Sequence, residues 1–361
     1  MNREIEVTAK TINLLADWAE SELKSRDWKV SAPFELSSLT GDAGFRRYFR
    51  VPSEPSLLAV FAHPAAEKNE TFTVLAEHFI DQGIHAPSVL AVDYDQGFLL
   101  LEDFGDTLFQ SELTDESVDM LYGEALLTLL RLQQCKSSDV VGSDSKRFML
   151  PKYSADLLQE EMDLLGQWFA PKLLGYELTD ADKNMLDDLG VLLRDSALEQ
   201  PQVWVHRDFH SRNLIYREGQ APGVIDFQDA VHGPITYDLA SLLRDCYVRW
   251  DPERVERWAM AYGAMAADVG LMDSVGRQQW LRWFDLMGLQ RHIKVLGIFA
   301  RLYLRDGKAN YLQDLPLVIR YTLEVAKKYP ELNAFVAWFE TSLLPLCESQ
   351  EWYSDYRLAG E

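Results

Sequence analysis

Apolar positions recur at helical spacing over residues 4–25, where Ile5, Ala9, Ile12, Leu15, Trp18 and Leu23 form one stripe. That stripe predicts an amphipathic helix. In "FELSSLTGDAGFRRYFRV" (34–51) the pattern changes to strand-like runs flanking a turn that contains Gly41, Asp42 and Gly44. "SLLAVFAHP" (56–64) supplies a further apolar strand that Pro64 stops. Helical spacing returns in "NETFTVLAEHFIDQG" through Phe72, Leu75, Ala76, Phe79 and Ile80, with Gly83 placed to end the helix. Two apolar runs then flank "DYDQG", a turn signal. The order strand, strand, strand, helix, strand, strand predicts a small antiparallel sheet. The polar "EDFGD" (102–106) follows, and beyond it helical periodicity dominates around residues 117–134 and 155–169. Short strands at "QVWVH", "NLIY" and "GVIDF" interrupt it before helices resume to the end. The expected class is α+β, with a small antiparallel-sheet N-terminal lobe (1–101), a connection at 102–106 and a larger, mainly helical C-terminal lobe (107–361).

Composition narrows the function classes. With 361 residues, 47% of them hydrophobic, and ten Trp, the chain buries a sizeable core and is not disordered. The formal net charge of −22 sets a field that repels nucleic acid and anionic membrane surfaces. A phosphate ligand must therefore meet a local cationic pocket. Charges break the apolar core that a signal peptide needs, and no run approaches eighteen apolar residues, so the expectation is a soluble, cytoplasmic protein with no obligate protein partner. Cys135, Cys246 and Cys347 are scattered, which suggests buried thiols rather than disulfides or zinc.

The chemistry concentrates in "VHRDFHSRNLIYREGQAPGVIDFQDA" (205–230). "NLIY" and "GVIDF" are joined by a polar segment with Gly219 and Pro222 and predict a hairpin. If Tyr216 pairs with Gly223, Asn213 stands opposite Asp226, and an amide oxygen and a carboxylate converge. That donor pair suits a small hard cation shared with phosphate oxygens, Mg²⁺ on a nucleotide. Asp208, five residues before Asn213, is placed to accept a proton from a hydroxyl. Taken singly, Asp208, Asn213 and Asp226 also read as a turn cap, a loop hydrogen bond and a strand end. Their joint spacing, H-x-D-x-x-x-x-N followed by the second acid, favours phosphoryl transfer. A competing reading makes His206, Asp208 and His210 the metal ligands of a hydrolase, and leaves Asn213 and Asp226 unexplained.

"HRDFHSRN" together with "VIDFQDAVHGPITYDLASLLRD" resembles the aminoglycoside phosphotransferase family, kin to the protein-kinase fold, and the likeness spans nearly the whole chain. The resemblance implies a two-lobed protein-kinase-like fold that uses ATP and Mg²⁺. It implies Asp208 as catalytic base, Asn213 and Asp226 as Mg²⁺ ligands, and Glu102 to Phe104 as the adenine-binding connection. It makes Asp238 a buried support of the catalytic loop beside His206, the alternative being a helix N-cap. Two positions depart from the pattern. Gln228 stands where protein kinases carry glycine, and "SLLAVFAHP" lacks the lysine that relatives use on the nucleotide phosphates. The turn residues Gly41, Asp42 and Gly44, with Arg46, Arg47 and Arg50 after them, offer backbone amides and guanidinium groups in its place. Strand alternation sets Arg46 and Arg50 on one face and Arg47 on the other.

"LTGDAGFRRYFRV" and "LMGLQRHIKVLGIFARLYLRDGKANYLQDLP" are similar to the bacterial anomeric kinases of N-acetylmuramate and N-acetylglucosamine, which act in cell-wall recycling. That resemblance implies a small-molecule amino-sugar substrate phosphorylated at C1. Gln290, Arg291, Lys294 and Arg301 fall along one side of a predicted helix, and a polar, cationic face there suits a lactyl carboxylate or N-acetyl group. His210 and Arg212, beside Asp208, are further substrate candidates, as are Gln290, Arg291 and His292. An antibiotic-modifying kinase, another small-alcohol kinase acting on choline or homoserine, and a nucleotide-binding pseudokinase are the alternatives.

Overall fold

The computed structural model describes residues 8–39 and 46–361, so Gly41, Asp42 and Gly44, with Ile5 of the first predicted helix, lie outside the described residues. The chain forms two compact units whose segments alternate along it. One comprises Met1–Thr114, Lys136–Leu150 and Asn213–Gln228; the other comprises Asp115–Cys135, Pro151–Arg212 and Asp229–Glu361.

The first unit is built on a five-stranded antiparallel sheet in the order Ser37–Ser38, Arg47–Val51, Leu57–Phe61, Phe98–Glu102, Val89–Asp93. Alternation along the strands sends Phe49, Val51, Leu57, Ala59, Phe61, Phe98 and Leu100 to one face, where Leu15, Ala19 and Leu23 of the Ala9–Ser25 helix complete a core. Tyr48 and Arg50 consequently belong to the opposite face. The Asn69–Asp81 helix ends where the pattern places its stop: the Gly83 amide donates to the Ile80 carbonyl and the Ile84 amide to the Phe79 carbonyl, both at 2.9 Å. A hairpin of Asp139–Val141 and Arg147–Met149 lies against this helix, with Ser143 Oγ donating to Glu77 Oε1 at 2.6 Å. Its three-residue strands are too short to show a period in the sequence.

The Leu214–Ile215 and Gly223–Val224 strands form the expected hairpin, in a different register. Leu214 pairs with Val224 and Ile215 with Gly223, so Asn213 faces Ile225, whose amide donates to the Asn213 carbonyl at 3.1 Å. Asp226 is not directly opposite Asn213. In this register the Val224 amide points away from its hairpin partner and is taken by the His85 carbonyl at 2.7 Å. Gly223 also admits the Phe104 ring, because a Cβ at that position would lie 2.5 Å from it.

The second unit is organised around the 30-residue Arg277–Asp306 helix. The Leu165–Leu173 π-helical segment and the Asp180–Leu198, Tyr237–Leu243 and Leu315–Ala326 helices all pack on it, which buries its middle all round. Gly297 admits the end of the Ala155–Leu164 helix, since a Cβ there would fall 2.4 Å from Leu164. The Gln202–Val205 strand pairs antiparallel with Val231–Pro234 and carries residues 206–212 at its end. No helix among the described residues is long and apolar enough to cross a membrane.

Candidate active site

In the first unit the predicted cation-binding residues sit at the end of the short hairpin. Asp226 adopts a φ of 65°, a conformation rare for a side-chain-bearing residue and one that turns it out of strand alternation. Its Oδ1 accepts a hydrogen bond from Gln228 Nε2 at 2.7 Å, and Gln228 Oε1 accepts in turn from Arg46 Nη1 at 3.1 Å. The Arg46 Nε lies 3.3 Å from Glu67 Oε2, and its guanidinium stacks 4.5 Å above the Phe72 ring. Phe72 stacks on Phe227 at 5.0 Å, which anchors the residue following Asp226. Arg46 is buried, and its Nη2 has no hydrogen-bond partner among the described residues. A buried guanidinium edge linked through Gln228 to the Asp226 carboxylate fits a nucleotide phosphate with its Mg²⁺.

The other arginines are used differently. Arg50 donates to Asp103 at 2.6 Å and to Asp106 at 2.7 and 2.8 Å, so it braces the 102–106 connection. The Arg47 side chain is exposed and donates through Nη1 to the Arg46 carbonyl at 3.0 Å. Glu102 Oε2 accepts from Ser88 Oγ at 2.9 Å, while Phe104 is fixed between Gly223 and the Arg217 guanidinium, 4.8 Å from its ring.

In the second unit the loop after Gln202–Val205 is held by its backbone. Asp238 is fully buried and its carboxylate accepts the amides of His206 at 2.6 Å and Arg207 at 3.0 Å. Asp238 lies within the Tyr237–Leu243 helix, which Thr236 precedes as N-cap, and its bonds reach the loop instead. Burial pushes the Asp238 carboxyl up to about 7 against the pull of those two amides, and the neighbouring Asp208 charge adds to the rise. His206 Nδ1 accepts the Asp208 amide at 3.3 Å. Among the described residues no three His, Cys, Asp or Glu side chains converge to hold a metal ion, so His206, Asp208 and His210 do not form the ligand set of a hydrolase.

Burial alone would raise the Asp208 carboxyl, but Lys294, His210, Arg207 and Arg291 outweigh it and hold the group below the usual carboxylate range. Asp208 is thus an ionised carboxylate in a cationic surround. His210 meets Tyr247 edge-on at 5.4 Å, and the Arg212 guanidinium lies 3.5 Å from the same ring and 3.8 Å from Asp314.

The "QRHIK" segment does not form an open cationic face. Gln290, Arg291, His292 and Lys294 are all buried, because helices cover every side of this part of Arg277–Asp306. Gln290 Nε2 donates to Glu161 at 3.2 Å, and Arg291 Nη1 to the Cys246 Sγ at 3.4 Å. His292 Nε2 meets the Arg244 carbonyl at 3.0 Å and its ring stacks on Tyr321 at 4.9 Å. Lys294 Nζ contacts Glu161 Oε1 at 3.0 Å and the Tyr237 hydroxyl at 2.9 Å. Glu161, Glu67 and the relay through Gln228 carry no motif of their own. Lys294 was visible only as a cation on the polar side of a predicted helix, with nothing local to mark its burial.

The profile of the phosphotransferase enzyme family (APH) matches residues 35–274. An N-acetylmuramate/N-acetylglucosamine kinase of Pseudomonas aeruginosa is 40% identical over 84% of this chain and 88% of its own length. Another from Pseudomonas putida is 38% identical over 88% of this chain and 92% of its own. The ADP-bound aminoglycoside phosphotransferase APH(2'')-Ib superposes with a TM-score of 0.51 at 15% identity, covering 86% of this chain and 98% of that one. The antiparallel-sheet unit and the helical unit are the two parts of a protein-kinase-like α+β fold.

Proposed function

The chain belongs to the phosphotransferase enzyme family, and from that premise we propose that it transfers the terminal phosphoryl group of ATP to the C1 hydroxyl of N-acetylmuramate or N-acetylglucosamine. The observation that carries the substrate assignment is that relatives 38% and 40% identical, over more than four fifths of the chain, are named for those two sugars.

Asp208 takes the proton of the acceptor hydroxyl. An anomeric hydroxyl is more acidic than an ordinary alcohol, so a carboxylate below the usual range suffices when proton transfer comes late. Asn213 and Asp226 would hold Mg²⁺, which when bound neutralises phosphate charge. Gln228 keeps the Asp226 carboxylate oriented by its bond to Oδ1. Arg46 takes the place of the absent sheet lysine, offering its buried Nη2 to phosphate oxygen. Amides around Gly41, Asp42 and Gly44 serve the same phosphates, with Arg47 adding charge at the rim. The backbone of Glu102 to Phe104 receives the base. Arg212 and His210 meet the sugar and its lactyl carboxylate, while the buried Gln290, Arg291 and His292 tie the Arg277–Asp306 helix to its neighbours.

The test is turnover with ATP and Mg²⁺ over the two amino sugars, aminoglycosides, choline and homoserine, with phosphorus NMR on the product. A sugar 1-phosphate is expected. A phosphorus signal coupled to C6 protons, or turnover of aminoglycosides without turnover of free amino sugars, rules out the C1 reading. Arg212→Met should harm N-acetylmuramate far more than N-acetylglucosamine, because the first alone carries the carboxylate.

A further inference from the structure

Arg207, next to the proposed base, has a φ of 79°. An L-residue with a side chain rarely adopts this conformation, and it persists where the surroundings enforce it. Two elements of the second unit do so. Asp238 takes the Arg207 amide, and Glu161 of the Ala155–Leu164 helix takes its guanidinium, Nη2 to Oε1 at 2.5 Å. Glu161 is itself buried and held from three more directions: by Lys294 at 3.0 Å, by Gln290 at 3.2 Å and by the Tyr153 hydroxyl. Lys294 is in turn fixed by the Tyr237 hydroxyl at 2.9 Å.

Desolvating one carboxylate and two cations is costly, and apolar side chains of similar volume often fill such a space as stably. Packing therefore does not account for the cluster. What the ionic arrangement adds is direction, since a fork of guanidinium donors fixed on an immobile carboxylate restrains the residue that bears it. We propose that Glu161 is a positioning residue for the reaction: acting through the Arg207 guanidinium, it enforces the left-handed turn that aims Asp208 at the acceptor hydroxyl. The proposal rests on the reading of Asp208 as base.

Position 207 separates the turn from the charge. Arg207→Ala and Arg207→Gly remove the same cation, yet glycine keeps the left-handed turn at no steric cost while alanine resists it. The expected result is a kcat for Arg207→Gly about 5- to 10-fold above that of Arg207→Ala, with KM for ATP the same in both within about 2-fold. Glu161→Gln, which keeps shape and loses charge, is expected to lower kcat about 10-fold in the wild-type background and less than about 2-fold beside Arg207→Gly, where no guanidinium remains to hold. Arg207→Ala turning over as fast as Arg207→Gly overturns the proposal, as does an equal cost of Glu161→Gln in both backgrounds. Should Glu161→Gln not fold, the alanine and glycine comparison decides alone. Asp208→Asn is measured alongside: its full activity would refute the base itself, a result distinct from the order of the position-207 variants.

Discussion

Replacing Arg46 by Met keeps an unbranched chain against Phe72 and removes three polar relations at once. Lost are the Glu67 ion pair at 3.3 Å, the Gln228 bond at 3.1 Å and the buried Nη2 proposed for phosphate. The Glu67 side chain is 13% exposed, so its carboxylate would lose the Arg46 charge while still largely desolvated. Breaking a fully buried pair from one side costs about 3–5 kcal/mol, and the residual exposure here reduces that to about 2–3 kcal/mol of stability. The catalytic cost is separate. One hydrogen bond to a charged group contributes about 1.5–3 kcal/mol, which is about 10- to 160-fold in kcat/KM for ATP. Steady-state ATP consumption at saturating sugar, with ATP varied, measures it, and thermal melting measures the first effect. Arg46→Lys restores a charge without the fork or the stacking, and should recover part of kcat/KM. A melting transition that falls while kcat/KM for ATP stays unchanged would refute the reasoning, because Arg46 would then be a structural cation that phosphate never meets.

Asp208→Asn should retain ATP-dependent thermal stabilisation and lose turnover by a factor on the order of 10² to 10⁴, read by melting and by product NMR; wild-type turnover would remove the base assignment. Asp238 predicts a pH dependence. Its carboxyl, near 7 in the folded protein against an ordinary 3.8, binds a proton that the unfolded chain has released, so its contribution to stability is full below about pH 4 and is lost as pH rises through 7. Denaturation of wild type minus Asp238→Asn between pH 4 and 8 should show that decline, and a flat difference would contradict it. Gly223→Ala should cost about 1–3 kcal/mol, because the new methyl meets the Phe104 ring at 2.5 Å, and should raise KM for ATP. Adding Phe104→Leu should return most of the stability.

The N-terminal helix, the sheet strands, the Gly83 stop and the 214–224 hairpin were all legible, because each shows its period or its turn residues within about a dozen positions. The spacing of Asp208, Asn213 and Asp226 was legible for the same reason, as was the vacancy where "SLLAVFAHP" lacks a lysine. Arg46 was one of three candidates to fill it, and nothing local distinguished them. Its burial against Glu67 and Gln228, and the use of Arg50 on Asp103 and Asp106, depend on partners that lie from 21 to 182 residues away in sequence.

Local pattern thus yields the inventory: helix and strand types, the phosphoryl-transfer spacing and the absence of the usual cation. The tertiary structure decided three matters that no local pattern encodes. It set the hairpin register, in which a His85 carbonyl and a Phe104 ring from more than a hundred positions earlier meet Val224 and Gly223. It made "QRHIK" an interior segment, because helices from both directions of the chain cover all sides of Arg277–Asp306. It also placed Glu161 on Arg207 and Lys294, across 46 residues in the case of Arg207. The physical reason is common to all three. Period and turn chemistry are short-range properties of the backbone, whereas burial and charge pairing are set by whichever distant side chains the folded chain brings within a few ångströms.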